Sequence, residues 1–176
     1  IMSGFNITSK RGLAAVTFAT ASATALLAQP ANDECGGALT IACGQTVAVD
    51  NTLATEHAAD PLFPCRNGFS SAGSRTLWYK FVAVGTRAQL DTNDSTTVND
   101  TILAVYGVNA SDPCGTLVQI ACDDDAGEGP QGYLSELIVE GLTPGSTYYI
   151  EVAAWDPNVP AGAVAPELHT RLATLK

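Results

Sequence analysis

The sequence predicts an all-β protein: a jelly-roll-like β-sandwich of about seven to eight antiparallel strands, preceded by an N-terminal signal helix. Short runs of alternating apolar and polar residues follow one another along the chain, and Gly, Pro, Asn and Asp separate them. Beyond residues 1–28, no stretch repeats its apolar residues at the helical period. A length of 176 residues and an apolar content of 46% suit one folded domain and exclude a disordered chain.

Residues 1–28 have the pattern of a secretory signal peptide. Lys10 and Arg11 form a short basic region, and an uncharged run of small and apolar residues continues to Ala28. A membrane anchor is the alternative, but this run is short and diluted by Ser and Thr, whereas a spanning helix needs about 20 apolar residues. We therefore expect cleavage near Ala28, export from the cell, and no membrane association afterwards.

Residues 29–156 are expected to form the β-sandwich domain. The predicted strands are 46–49, 77–84, 88–92, 102–108, 117–122, 134–140 and 147–154. Residues 54–75 are rich in Pro, Gly and Ser and predict a long loop. Both faces of the strand 77–84 are largely apolar, which is typical of a strand inside a sandwich.

Residues 157–176 differ from the rest of the chain. Pro157, Pro160 and Pro166 interrupt any continuous strand. One alternative is that residues 168–175 add a last strand to the sheet. The other, which we favour, is an irregular C-terminal tail on a chain truncated at this end.

The charge of the chain excludes one class of partner. The net charge is −10, and both charges of the predicted signal peptide are basic, so the mature protein is still more acidic. Such a surface repels phosphate backbones, and we expect no nucleic-acid partner.

All five cysteines lie downstream of the predicted signal peptide, and an exported chain meets an oxidising compartment. Cys35 and Cys43 are eight residues apart, and so are Cys114 and Cys122. We therefore predict the local disulfides Cys35–Cys43 and Cys114–Cys122. Each would contribute about 2.5 kcal/mol in the chain-entropy description. Cys65 is then a buried free thiol or pairs between chains. A zinc site is discounted because the chain has no C-x-x-C motif.

Several short signatures occur in order between residues 32 and 156. They are Asn32-Asp33-Glu34-Cys35, Ile41-Ala42-Cys43-Gly44, Asp50-Asn51-Thr52, Leu77-Trp78-Tyr79-Lys80-Phe81, Asn99-Asp100-Thr101-Ile102-Leu103-Ala104-Val105-Tyr106, Asp123-Asp124-Asp125, Ser135-Glu136-Leu137 and Thr147-Tyr148-Tyr149-Ile150-Glu151-Val152. This set resembles the bacterial pre-peptidase C-terminal (PPC) type of domain, in its cysteine-bearing secreted form. The resemblance implies a jelly-roll-like sandwich without catalytic activity, carried by exported enzymes or surface proteins. Some relatives bind calcium, collagen or polysaccharide.

The densest acidic group lies in a Gly-containing loop between two predicted strands, and a second Asp-rich loop is able to approach it. Calcium takes six to eight oxygen ligands, which carboxylates and loop carbonyls supply. The alternative is a solvated acidic turn, because Asp favours turn geometry. The calcium candidates are Asp100, Asp123, Asp124, Asp125 and Glu128.

Two aromatic residues are candidates for ligand binding. Sugar rings stack on indole and phenol faces, and Trp155 follows the last predicted strand, near a sheet end where loops gather. Tyr133 stands beside Gly132 at the start of a loop and is the second candidate. The alternative for Trp155 is packing in the core or at a sheet edge.

The sequence does not predict an enzyme. It contains no G-x-S-x-G elbow, no H-E-x-x-H motif and no phosphate-binding loop. We expect an extracellular, secreted or surface-bound, non-catalytic binding or adhesion module for a polysaccharide or protein ligand. It needs no cofactor other than the candidate Ca²⁺. The alternative is a structural spacer of a larger surface protein.

Overall fold

The computed structural model describes residues 28–66, 73–128 and 132–169. The predicted signal peptide lies outside these residues except for Ala28. Strands and one 3₁₀ turn (Cys35–Gly37) are the regular structure of the described part, which confirms the prediction of an all-β protein. No helix in these three ranges has the length and apolar character needed to cross a membrane.

The six longest strands each overlap a predicted strand. In chain order, the strands are β1 (Leu39–Thr40), β2 (Gln45–Thr46), β3 (Val49–Asp50), β4 (Ser74–Val82), β5 (Arg87–Asp91), β6 (Thr101–Gly107), β7 (Val118–Asp123), β8 (Glu136–Glu140), β9 (Thr147–Ala154), β10 (Ala163–Val164) and β11 (Glu167–His169). The predicted strand 46–49 is instead divided between β2 and β3, which belong to different sheets.

Two sheets contain most of the strands. The five-stranded sheet has the order β1-β4-β9-β6-β7, with β1 and β4 parallel and the other pairs antiparallel. The four-stranded sheet has the order β2-β11-β5-β8 and is antiparallel throughout. Strands β3 and β10 form a separate antiparallel pair.

The period-two alternation of β4 divides its side chains between two buried clusters. Leu77 packs in a cluster with Leu90 of the four-stranded sheet, so the two sheets share one core. Trp78 points to the opposite face, where Phe63 and Tyr106 belong to a second cluster. The centre of the five-stranded sheet is thus buried on both faces, as the apolar character of 77–84 predicts, although Val82 and Val84 at the end of that segment are exposed.

The disulfide prediction is wrong. The bonds are Cys35–Cys114 and Cys65–Cys122, with Cα–Cα distances of 5.8 and 5.7 Å. Cys122 lies within β7, and the extended residues before it rise about 3.3 Å each, which carries Cys122 away from Cys114 in the preceding loop. Cys65 is therefore bonded, and Cys43 lies outside both disulfides on the surface.

The tail is more regular than predicted. Strands β10 and β11 both lie within residues 157–176, and β11 pairs with β2 on one side and β5 on the other. The prolines limit these strands in length without excluding them, since Pro166 precedes β11 and its carbonyl accepts a hydrogen bond from the Val47 N–H. The prediction of an irregular tail is wrong for Ala163–Val164 and Glu167–His169.

Candidate functional site

One surface pocket collects most of the predicted site residues. It has a volume of about 280 Å³ and is lined by Asp100, Asp124, Asp125, Tyr133 and Trp155, and we call it the acidic pocket. Strand β6 runs antiparallel to both β7 and β9, so its first residue lies beside their last residues. Asp100 precedes β6, Asp124 follows β7 and Trp155 follows β9, which explains why residues distant in sequence meet here.

Three of the predicted calcium ligands are brought together. Asp100, Asp124 and Asp125 each place a carboxylate oxygen within 4.8 Å of the others. Asp100 comes from the loop before β6, and the other two from the loop after β7. The prediction that these two loops approach one another is therefore confirmed.

The other two predicted calcium ligands are not in this group. Asp123 Oδ2 accepts hydrogen bonds from the backbone N–H groups of Ala126, at 3.0 Å, and Glu136, at 2.9 Å. Asp123 therefore closes the loop and ties it to β8. Glu128 is exposed, and its backbone N–H donates to Asn93 Oδ1 at 2.8 Å.

Two carboxylate oxygens of the acidic pocket are buried without a partner. Asp124 is only 7% exposed, and its side chain accepts a hydrogen bond from the Trp155 side chain. Its Oδ1 nevertheless has no hydrogen-bond partner among the described residues, and the same holds for Asp100 Oδ1. A buried carboxylate oxygen without a partner is costly in free energy, so a cation or a hydrogen-bond donor at these atoms would be stabilising.

The electrostatics of the pocket also favour a positive charge. Burial, together with the charge of Asp124, raises the pKa of Asp100 to about 6. Burial and the charge of Asp125 raise the pKa of Asp124 to about 6, and burial raises the pKa of Asp125 as well. In each case the ionised form is disfavoured because the carboxylates are crowded and partly removed from water.

A network of buried hydroxyl groups connects the loops that form the acidic pocket. Ser135 Oγ donates to the backbone carbonyls of Thr101, at 2.6 Å, or Asp124, at 3.2 Å. The Thr92 and Thr101 hydroxyls lie 2.7 Å apart, and both accept hydrogen bonds from the Ser135 N–H. These residues tie the two Asp loops to the start of β8.

The predicted aromatic residues have different environments. Tyr133 is 49% exposed, and its carbonyl accepts a hydrogen bond from the Thr101 N–H at 2.9 Å. Trp155 is half-buried, and the guanidinium carbon of Arg66 lies 4.4 Å from its ring centre. Tyr133 is thus an open platform, whereas Trp155 forms a wall with one face covered.

Sequence reasoning missed Arg66. It lies on the predicted long loop, and the only signal for it was its position next to Cys65, whose partner was predicted wrongly. With the observed bond to Cys122, the basic side chain is placed beside the acidic loop.

A larger cleft, of about 500 Å³, lies elsewhere on the five-stranded sheet. Lys80, Val108, Pro113 and Tyr149 are among its lining residues. None of the predicted site residues lines it.

Comparison with known proteins does not identify a family. No protein-family model matches the chain. No curated protein shows significant similarity to it.

Proposed function

We propose that the chain is an exported, non-catalytic binding module, and that the acidic pocket holds Ca²⁺ and contributes to a polysaccharide-binding site. The observation that carries this proposal is the meeting of Asp100, Asp124 and Asp125 with Tyr133 in one pocket. The carboxylates are groups that bind a hard cation, and the aromatic ring is a group that binds a sugar.

The donor set fits calcium. Calcium binds carboxylate oxygens at 2.3–2.6 Å, and oxygens that lie within 4.8 Å of one another can share one such ion. The unpartnered oxygens of Asp100 and Asp124 would gain a ligand, and the like charges would be offset. Because three carboxylates fill only part of a shell of six to eight oxygens, water or sugar hydroxyls would complete it.

The open face of Tyr133 supports the polysaccharide part of the proposal. An exposed phenol ring beside a cation offers a sugar both a stacking surface and oxygen coordination. Trp155 contributes to the shape of the pocket and to the placement of Asp124.

The fold part of the proposal is a jelly-roll-like β-sandwich of the PPC type. Two sheets with one shared core support a sandwich, and the ordered signatures from Asn32 to Val152 support that type of domain. Two disulfides and the predicted signal peptide support a secreted or surface location in a bacterium.

A structural spacer without a ligand is the second candidate. The observation that favours it is Arg66, whose positive charge lies near Asp100 and Asp124 and already offsets part of their charge. A spacer needs no exchangeable cation, so the two candidates differ in their response to calcium.

Thermal melts in EDTA and in millimolar CaCl₂ test the calcium site. A ligand that binds only the folded state stabilises it, by about 2.7 kcal/mol at 100 times its dissociation constant. We expect calcium to raise the Tm of the wild type and not that of Asp124→Asn, which keeps an acceptor for Trp155. Glu56→Gln, the same charge change at an exposed position, should keep the calcium response. Equal melts of the wild type with and without calcium would exclude the site.

Retention on insoluble polysaccharides, with calcium and with EDTA, tests the ligand. Loss of one aromatic contact, worth about 1 kcal/mol, predicts a roughly five- to tenfold weaker affinity for Tyr133→Ala. Leu62→Ala removes an exposed apolar side chain outside the pocket and should bind as the wild type does. If no polysaccharide is retained under either condition, the spacer is the better description.

A further inference from the structure

Arg66 lies next to the acidic pocket, against Trp155, which is one of the residues that line the pocket. Its guanidinium lies over the ring of Trp155, with 4.4 Å from the guanidinium carbon to the ring centre. The Trp155 side chain in turn donates a hydrogen bond to Asp124, which is only 7% exposed. A cation, an aromatic ring and a carboxylate thus form a continuous chain of contacts.

The covalent structure places Arg66 there. Cys65 is bonded to Cys122, with 5.7 Å between the Cα atoms. Arg66 follows the first of these cysteines directly, and Asp124 follows the second by two residues. The disulfide therefore brings the one loop that carries the arginine next to the loop that carries two of the pocket carboxylates.

The charge of Arg66 acts on the same carboxylates that are proposed to hold calcium. Its field lowers the pKa of both Asp100 and Asp124, against the upward effect of burial. A guanidinium cannot lose its proton in a protein, so this positive charge is permanent. Any further cation in the acidic pocket has to be bound in its presence.

We propose that Arg66 is the resident cation of the acidic pocket, and that a divalent cation competes with it for the charge of Asp100 and Asp124. This inference rests on the proposed function of the pocket. Beside the crowding of the carboxylates, the second observation is that Oδ1 of Asp124 is buried and has no hydrogen-bond partner among the described residues, which favours a cation in addition to Arg66. Arg66 leaves this atom unpartnered and offsets only part of its charge.

Calcium titration by calorimetry measures the competition. Removal of a positive charge that acts on two of the proposed calcium ligands predicts roughly tenfold tighter calcium binding in Arg66→Gln. Arg66→Lys keeps the charge and should stay within about twofold of the wild type if the effect is electrostatic. Arg87→Gln makes the same charge change on β5, where Arg87 pairs with Glu140 at 3.5 Å, and should bind as the wild type does.

A double-mutant cycle in EDTA tests Arg66 without calcium. Arg66→Gln should lower the Tm of the wild type more than that of Asp124→Asn, because the carboxylate that needs the cation is absent from the latter. Equal losses in the two backgrounds would overturn the inference.

The outcomes separate this inference from the function on which it rests. Calcium bound by the wild type but no more tightly by Arg66→Gln overturns the competition and leaves the calcium site standing. If neither protein binds calcium, the calcium site is excluded and competition with it is overturned too. The cycle in EDTA then decides whether Arg66 is the resident cation.

Discussion

Glu151 is the most deeply buried acid in the described part of the chain. It is 0% exposed in the middle of β9, and its Oε2 accepts a hydrogen bond from the Tyr106 hydroxyl at 2.7 Å. Its Oε1 has no hydrogen-bond partner among the described residues. Burial raises the pKa of Glu151 well above its usual range, the Tyr106 hydrogen bond lowers it, and the charge of Asp60 raises it further.

The raised pKa of Glu151 predicts a stability that falls as the pH rises. Between its unfolded and folded pKa values the folded state holds a proton that the unfolded state has released, so stability is lost through this window. Glu151→Gln resembles the protonated acid, and we expect it to match the wild type near pH 4 and to be more stable by about 1–3 kcal/mol at pH 8. Melts in EDTA from pH 4 to 8 measure this.

A matched variant identifies the source of that effect. Glu56 is exposed, so Glu56→Gln should follow the wild type at every pH. If the difference between Glu151→Gln and the wild type does not change with pH, Glu151 does not titrate in this window.

The part of the candidate site that could be predicted from the sequence is the part whose residue types indicate their function. Carboxylates in glycine-containing loops are visible in a sequence, and Asp100, Asp124 and Asp125 meet as expected. Arg66 was not predictable, because its place depends on a disulfide to Cys122 that brings together segments 57 residues apart. The position of a loop residue is fixed by long-range contacts that no local pattern encodes.

At the level of secondary structure, length decides what a sequence predicts. Strands of five or more residues, such as β4 and β9, contain enough side chains for the period-two alternation to appear. Strands β1, β2, β3 and β10 have two residues each and are formed by pairing with partners distant in sequence. Their existence follows from the tertiary structure, which the alternation pattern does not describe.

Cysteine spacing was misleading for a related reason. The equal spacing of Cys35/Cys43 and Cys114/Cys122 indicates two local loops, but Cys122 belongs to the extended strand β7, and no bond forms within either predicted pair. The observed disulfides instead join the N-terminal segment to the loop between β6 and β7, and the loop before β4 to β7 itself.

For the whole molecule, these disulfides link segments that pack against the second apolar cluster. Cys35, Cys65 and Cys122 pack against this cluster, in which Trp78 and Phe63 are almost fully buried. The bonds close segments of 79 and 57 residues, and the chain-entropy description assigns about 4 kcal/mol to loops of such length. They therefore stabilise the fold more than two local bonds would.

Cysteine variants test this arrangement by urea unfolding of the oxidised protein. The double variant Cys35→Ser/Cys114→Ser should lose about 2–5 kcal/mol, because the unfolded chain regains the freedom that the bond removes. Cys43→Ser should stay within about 0.5 kcal/mol of the wild type, since Cys43 is an exposed residue outside both bonds. The local pairing predicts the opposite for Cys43, whose loss would break a bond to Cys35. A large loss in Cys43→Ser would thus contradict the observed pairing, and an unchanged Cys43→Ser together with a destabilised double variant would support it.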